Sequence, residues 1–416
     1  MAATAMHLSS SPAMRAASPS ATDRVAVGRL TLTDFRSYPG LRLDIDARPV
    51  VLTGPNGAGK TNLLEAVSFF APGRGLRGVK LTEVGYAPAR DAADEIKSQE
   101  PKDQEIKGQS WAVAATLSTP GGPIDIGTGF NAGEARRLVH INGEAAKGAG
   151  ALVQHLGIVW LTPAMDRLFT DGPGSRRRFV DRLVTTLDAD HAGRTAAYDH
   201  AYRQRLRLLR DGDGDESWFA ALEDTMARHG VALAAARHDF VERLNRELGA
   251  SPGPFPAAHL TLEGTVDQWL REMPAIDAED AVRRSLMSER RGGEDAGAGP
   301  HRSDIAVVMV APGHSSHGQS AAICSTGEQK ALLVSLMLAH ARLQKEQRGH
   351  VPILLLDEIT AHLDPDRRTA LFDEILTLGA QAWMTGTDIS LFAGLGDRAQ
   401  FLTVQNGALI PGTSPN

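Results

Sequence analysis

One cysteine, Cys324, stands in 416 residues. No intrachain disulfide can form, so packing and polar bonding must hold the chain together, and a reducing compartment such as the cytoplasm fits this usage. No stretch approaches the roughly 20 unbroken apolar residues that a membrane-spanning helix requires. Aromatic residues are scarce at 5%, which leaves little material for a platform on which successive bases of a single strand would stack. An excess of positive charge is also lacking. The formal net charge of −6 excludes whole-surface attraction to nucleic acid or anionic lipid, so any such contact must be a local basic patch. The remainder is ordinary globular composition, 42% hydrophobic and 23% charged, at a length that admits two or three cores.

Residues 1–24 are rich in Ala and Ser and read as a disordered tail. Alternation at Leu30, Leu32, Leu41, Leu43 and Ile45 predicts two strands with one wet face. The run Val50-Val51-Leu52 predicts a buried strand ending at Gly54, and the spacing of Leu63, Leu64, Val67 and Phe70 predicts a helix after it. Residues 86–108 hold six acids and four bases without apolar periodicity, the pattern of a solvated loop. Strands are expected at 111–117, 124–126, 138–141 and 158–161, with a tight turn at Asn142-Gly143. From Pro163 the texture becomes helical, with long stretches at 189–210, 217–248 and 278–290, up to a glycine-rich break at 292–299. Strands return at 305–310 and 353–356, with a helix between them from Thr326. Asp364-Pro365 is a helix start, with an N-cap acceptor followed by proline. Strand 383–385 and a hairpin at Asn406-Gly407 follow. The expected class is α/β, a head interrupted by a helical lobe. The parts are a tail at 1–24, a first head segment at 25–165, a helical lobe at 166–300 and a completing head segment at 301–416.

The sequence Gly54-Pro55-Asn56-Gly57-Ala58-Gly59-Lys60-Thr61 fits G-x-x-x-x-G-K-[ST] between a strand and a helix, the context the motif needs. Its glycines let backbone N–H groups turn toward phosphate oxygens, and the helix beginning at Lys60 directs its positive dipole end at the same anions. Lys60 would pair with the β and γ phosphates of ATP, Thr61 would ligate Mg²⁺, and Asn62 continues the loop into the helix. Ile353-Leu354-Leu355-Leu356-Asp357-Glu358 is an apolar strand ending in two carboxylates. There Asp357 would hold the Mg²⁺, and Glu358 would orient or deprotonate the attacking water.

Ser325-Thr326-Gly327-Glu328-Gln329 opens the helix some twenty residues before that strand. The order of P-loop, Ser-x-Gly-x-Gln helix start and Asp-Glu strand resembles the ABC-type ATPases. That resemblance implies that Ser325, Gly327 and Glu328 face the nucleotide of a second subunit, and that 360–364 is the loop that crosses between subunits. Within the class the chain resembles the RecF family. The resemblance rests on Asp34-Phe35-Arg36-Ser37-Tyr38, Gly73-Arg74-Gly75-Leu76-Arg77, the run from Gly172 to Asp181, and Gly299-Pro300-His301-Arg302-Ser303-Asp304. These sites span 27–388. The resemblance implies a cytoplasmic, nucleoid-associated protein of DNA repair and replication. It would dimerise with ATP on double-stranded or gapped DNA, act as a weak DNA-stimulated ATPase, and assist RecA loading with RecR and RecO. It also places Arg36 and Ser37 at the nucleotide. Departures from the family pattern are Ser303 in place of an acid, and the absence of a switch histidine at Thr385-Gly386-Thr387-Asp388, where Thr387 or Asp388 becomes the candidate.

Between Arg176 and Arg210 nine arginines face four aspartates. Arginine forks suit phosphate oxygens, so Arg176, Arg177, Arg178, Arg203, Arg205 and Arg207 are the candidate DNA contacts, although such runs are often plain solvated helix faces. Competing classes fit less well. A transporter energiser needs a glutamine near 161–163 and a shorter lobe. A structural SMC protein needs long heptad arms. A nuclease-gating ATPase needs a second acidic metal cluster. Another SMC-like repair ATPase with different partners is the alternative reading.

Overall fold

The computed structural model describes residues 24–86, 109–134, 136–212, 215–250, 254–292, 297–310, 318–405 and 407–415. The expected tail up to Asp23, all but Tyr86 of the solvated loop, residues 293–296 of the glycine-rich break and Asn406 lie outside the described residues.

In chain order the elements begin with β1 (Ala26–Phe35), β2 (Tyr38–Asp44), β3 (Val50–Thr53), α1 (Lys60–Ser68), β4 (Trp111–Ser118) and β5 (Ile124–Phe130). Next come β6 (Leu138–Ile141), β7 (Glu144–Ala145), β8 (Ile158–Leu161), α2 (Pro173–Leu187), α3 (His191–Asp211) and α4 (Glu216–Ala250). Then follow β9 (Ala257–Glu263), α5 (Thr265–Glu272), α6 (Ala275–Arg290), β10 (Asp304–Val310), β11 (Gly318–Ser320) and α7 (Thr326–Arg348). The chain closes with β12 (Ile353–Leu356), α8 (Pro365–Leu378), β13 (Ala382–Gly386), β14 (Gln400–Gln405) and β15 (Ala408–Pro411).

The strands form three sheets. An antiparallel sheet runs β2-β1-β4-β5-β6-β7, and a second sheet runs β15-β14-β3-β13-β12-β8. The second is parallel except for the hairpin strand β15. Its short strands are apolar on both faces, as strands covered on both sides must be. Period-two alternation divides them between two cores. Val50, Leu52, Ile353 and Leu355 pack with α1 and the antiparallel sheet. Val51, Leu354 and Leu356 pack with α2, α4, α7 and α8. The two large sheets are joined at Gln381, a buried amide whose Oε1 accepts from Val27 N at 2.9 Å and whose Nε2 donates to Val27 O at 3.0 Å and Asp46 O at 2.7 Å. The Asn142-Gly143 turn forms as expected, both residues having positive φ between β6 and β7.

The insertion is not wholly helical. β9 lies inside it and pairs along its length with β10, which also carries β11. The strand expected at 305–310 therefore belongs to a separate three-stranded sheet beside α4 and not to the parallel sheet. α3, α4 and α6 enclose a small core of Tyr198, Met226, Val231, Val282 and Leu286.

Candidate functional site

β3 ends at Thr53 and the chain turns through the phosphate loop into α1. Gly54 has φ +137°, and a Cβ there would lie 2.3 Å from Val404 O on β14, so only glycine fits. Gly59 has φ +110° and abuts Tyr38 and Ser37, with the Tyr38 hydroxyl donating to Gly59 O at 3.1 Å. α1 begins at Lys60. The Lys60 ammonium donates to Gly54 O at 2.6 Å and Pro55 O at 2.9 Å, held within the loop. Burial draws its pKa below the usual lysine range, and Glu358 and Asp357 act against that shift.

The parallel sheet brings the carboxylates to the same place. Thr61 Oγ1 donates to Asp357 Oδ1 at 2.9 Å across 296 positions of sequence. Thr385, at the end of β13, donates to the same oxygen at 2.7 Å and accepts from Glu358 N at 2.9 Å. Glu358 is left-handed, with φ 52°. A non-glycine residue in that region is strained by about 1–3 kcal/mol and persists where its surroundings hold it. A hydroxyl and a carboxylate meeting beside an ammonium are hard oxygen donors of the type that suits Mg²⁺. Among the described residues no group of three or more His, Cys, Asp or Glu side chains could hold a metal ion. The remaining ligands of such an ion would be phosphate oxygens and water, as is usual for Mg²⁺. Thr385 was not among the residues expected here. Its only signal is a hydroxyl in a wholly buried strand. Thr387 and Asp388, the expected switch candidates, are exposed one turn further on.

Arg36 is placed differently from expectation. Its guanidinium grips Glu65 of α1, at 2.9 Å (Nε–Oε2) and 2.7 Å (Nη2–Oε1), and donates to Glu83 O at 2.7 Å. The Glu65 carboxylate is fully buried, and a buried charge demands such partners. Arg77 adds a second ion pair to Glu65 at 2.5 Å and donates to Asn62 Oδ1 at 2.8 Å. Ser37 Oγ accepts from Asn62 Nδ2 at 2.8 Å, which keeps Ser37 beside the loop.

The helix start at Ser325 is a capping box: Ser325 Oγ accepts from Glu328 N at 3.3 Å and the Glu328 carboxylate accepts from Ser325 N at 2.8 Å. Among the described residues no hydrogen bond joins Ser325, Gly327 or Glu328 to the phosphate loop of the same chain. A Cβ at Gly327 would meet nothing within 4 Å, and Ile323 nearby is 73% exposed.

The arginine run divides. Arg205 is 1% exposed, held by Glu223 at 3.0 Å, Glu289 at 2.8 Å and Leu286 O at 2.6 Å. It cannot meet DNA from there. Arg176 forks onto Asp304 with both bonds at 2.8 Å, and Arg177 donates to Ser303 O at 2.6 Å. Arg237 bridges the same two motifs, binding Asp181 at 2.7 Å and 2.8 Å and Pro300 O at 2.8 Å. The segments 172–181 and 299–304 thus form an internal joint of the inserted lobe. Arg178, Arg203 and Arg207 remain exposed.

This architecture has parallels among known proteins. Residues 26–393 match the family model described as RecF/RecN/SMC N terminal domain. The DNA replication and repair protein RecF of Mesorhizobium japonicum is 46% identical over 392 residues, covering 92% of this chain and 97% of the relative. The protein of the same name from Rhizobium etli is 48% identical over 398 residues, covering 92% and 98%. A solved structure of the recombination mediator protein RecF-ATPrS in the RecFOR pathway superposes with a TM-score of 0.74 at 18% identity, covering 94% of this chain and 98% of that one. An Smc head domain from Pyrococcus furiosus gives 0.51 at 16% identity, over 94% and 96%.

Proposed function

Since this chain belongs to the RecF family of DNA replication and repair proteins, with the ABC-type ATPase head and inserted lobe of that fold, we propose that it binds ATP between two copies of itself and so closes on DNA during recombinational repair. Solved RecF structures with ATP and with ATPrS support the choice of nucleotide. On this reading the family partners are RecR and RecO, and the outcome is RecA loading at gaps. On the same reading β10 and β11, which pair with β9 of the insertion, are counted with the inserted lobe.

The single observation that carries the reading is the bonded chain Thr61–Asp357–Thr385–Glu358 beside Lys60. Backbone N–H groups of 54–61 and the start of α1 receive the phosphates. Lys60 exchanges the carbonyls of Gly54 and Pro55 for phosphate oxygens. Thr61 and Asp357 would hold Mg²⁺, which when bound would neutralise charge on the phosphates. Glu358 orients the attacking water and takes its proton. Ser325, Gly327 and Glu328 serve the partner's nucleotide. The open space over Gly327 and the exposed Ile323 support this, because nothing in the chain itself requires a glycine there.

The test is Glu358→Gln. It should slow hydrolysis by about 100-fold or more while leaving an ATP-bound dimer trapped on DNA, measured by light scattering and gel retention. Lys60→Ala should give no ATP-dependent dimer. Wild-type turnover by Glu358→Gln would remove Glu358 as the base and leave nucleotide-dependent DNA binding by another route.

A further inference from the structure

A cleft of about 590 Å³ lies where the ATPase head meets the inserted lobe, and no residue of the phosphate loop 54–61 lines it. Its walls are the loop after α1, β8 with the turn before it, and the facing surfaces of α2 and α3. Four arginines line it: Arg74, Arg178, Arg182 and Arg203. None is within ion-pair distance of a carboxylate among the described residues, whereas most other arginines of this lobe are paired. Arg74, Arg178 and Arg203 are exposed at the mouth. Arg182 lies deeper, stacked over Trp160 at 4.4 Å and Phe179 at 5.3 Å. Its Nε is buried with no hydrogen-bond partner, and burial pulls its pKa down to about 9. The two acids of the cleft offset part of this charge. Asp181 is already held by Arg237 and His191, and Asp199 stands exposed beside Arg203.

The cleft is also built, not merely open. Arg137 fixes the loop that carries Arg74, donating to Gly73 O at 2.9 Å and to Phe69 O. Leu76 N donates to Ser68 Oγ at 2.7 Å on the other side. The floor is apolar, formed by Val153, Leu156, Ile158 and Trp160. Arg178 donates to Ser175 Oγ at 3.1 Å and Arg203 Nε to Asp199 O at 3.0 Å, and the remaining N–H groups of these forks, which carry no ion pair, suit phosphate oxygens. The volume falls in the range of pockets that enclose a whole small molecule, about 300–1,000 Å³, more than a bare phosphate would fill.

We propose that this cleft is a second nucleotide site, separate from the phosphate loop, which takes one nucleoside phosphate with its phosphate on Arg74, Arg178 and Arg203 and its base against the apolar floor over Arg182. The nucleotide comes either from a DNA strand or from free solution, and the chemistry of recognition is the same for both.

The experiment is titration calorimetry of the full chain carrying Lys60→Ala, with deoxyadenosine monophosphate as the probe at low salt. A single site is expected, weakened about tenfold or more by Arg178→Ala with Arg203→Ala, since each removes a charge-assisted contact. Ala196→Trp, which fills the cleft without altering its charge, should also abolish binding. In a second arm a fluorescent single-stranded oligonucleotide is bound first. Displacement by the monophosphate identifies a strand nucleotide as the occupant, and simultaneous binding identifies a free one. No titration in the Lys60→Ala chain, or titration indifferent to all three cleft substitutions, overturns the proposal. Because Lys60→Ala disables the phosphate loop, the ATP reading stands or falls independently.

Discussion

Thr385 holds two groups of the site with one hydroxyl. It donates to Asp357 and accepts from Glu358 N, fixing the left-handed turn that aims Glu358. Thr385→Val keeps the shape and removes the oxygen, leaving the Asp357 carboxylate without a buried bond and the half-buried Glu358 N–H without its partner, at a cost of about 1–3 kcal/mol. We expect a stability loss of that size in urea titration and turnover lowered about 10–100-fold through misplacement of Glu358, with ATP affinity changed only a few-fold. A variant that lost ATP affinity in proportion to turnover would make Thr385 a binding residue instead. At this scale legibility follows chemistry. The meeting of Lys60, Thr61 and Asp357 could be read because a glycine-loop motif and an apolar strand ending in carboxylates set those residue types at fixed offsets from glycines and strand ends. Thr385 belongs to no such pattern. Arg205 was misread although a signal existed: Tyr198, Ala201 and Arg205 recur at helical spacing and are all buried, whereas Arg203, Arg207 and Arg210 take the opposite face.

Among the elements, α3, α4 and α6 are joined by charge as much as by packing. Arg205 meets Glu223 and Glu289, and Arg290 meets Glu223 and Glu216. Arg205→Ala leaves Glu223 buried with half of its compensation, and breaking such a pair costs about 3–5 kcal/mol. Chemical denaturation should show that loss. Arg205→Met with Glu223→Leu should recover most of it, because apolar residues of similar volume replace buried pairs at little net cost. DNA affinity per folded molecule should stay within a few-fold of wild type. A selective loss of DNA affinity without loss of stability would return Arg205 to the interface. The helices of this lobe were legible from Ala, Leu and Arg periodicity. β9 was not, being seven residues between helices, with a partner, β10, that arrives only after α5 and α6. Pairing at that separation leaves no local trace.

The molecule as a whole carries a pH limit in its histidines. His340 is buried with Nε2 2.8 Å from Thr186 Oγ1, and burial lowers its pKa to about 3. His301, 2.6 Å from the Tyr198 hydroxyl, is lowered to about 4 by the same cause. Both stay neutral in the folded protein, while in the unfolded chain they take up protons below about 6.5. Stability therefore falls as pH drops from about 6.5 toward 4, by up to about 2.7 kcal/mol per pH unit for the two together. The paired carboxylates, Asp181 and Asp304 among them, have lowered pKa values and act at more acidic pH. Urea midpoints at pH 7, 6 and 5 should decline steadily, and a flat series would contradict the neutral histidines. The global arrangement of head and insertion was legible because strand-loop-helix and strand-carboxylate motifs come in a fixed order. The grouping into three sheets was not, since it depends on which distant strands meet. That distance bears on how the protein is made. The first glycine of the phosphate loop sits beneath Val404 of β14, and the strands that flank it meet across 349 positions. At about 5–20 residues per second on the ribosome, the nucleotide loop is synthesised tens of seconds before the strand that closes over it. A nascent chain that stalls before Gln400 therefore carries the complete loop sequence without the strand against which its first glycine is shaped.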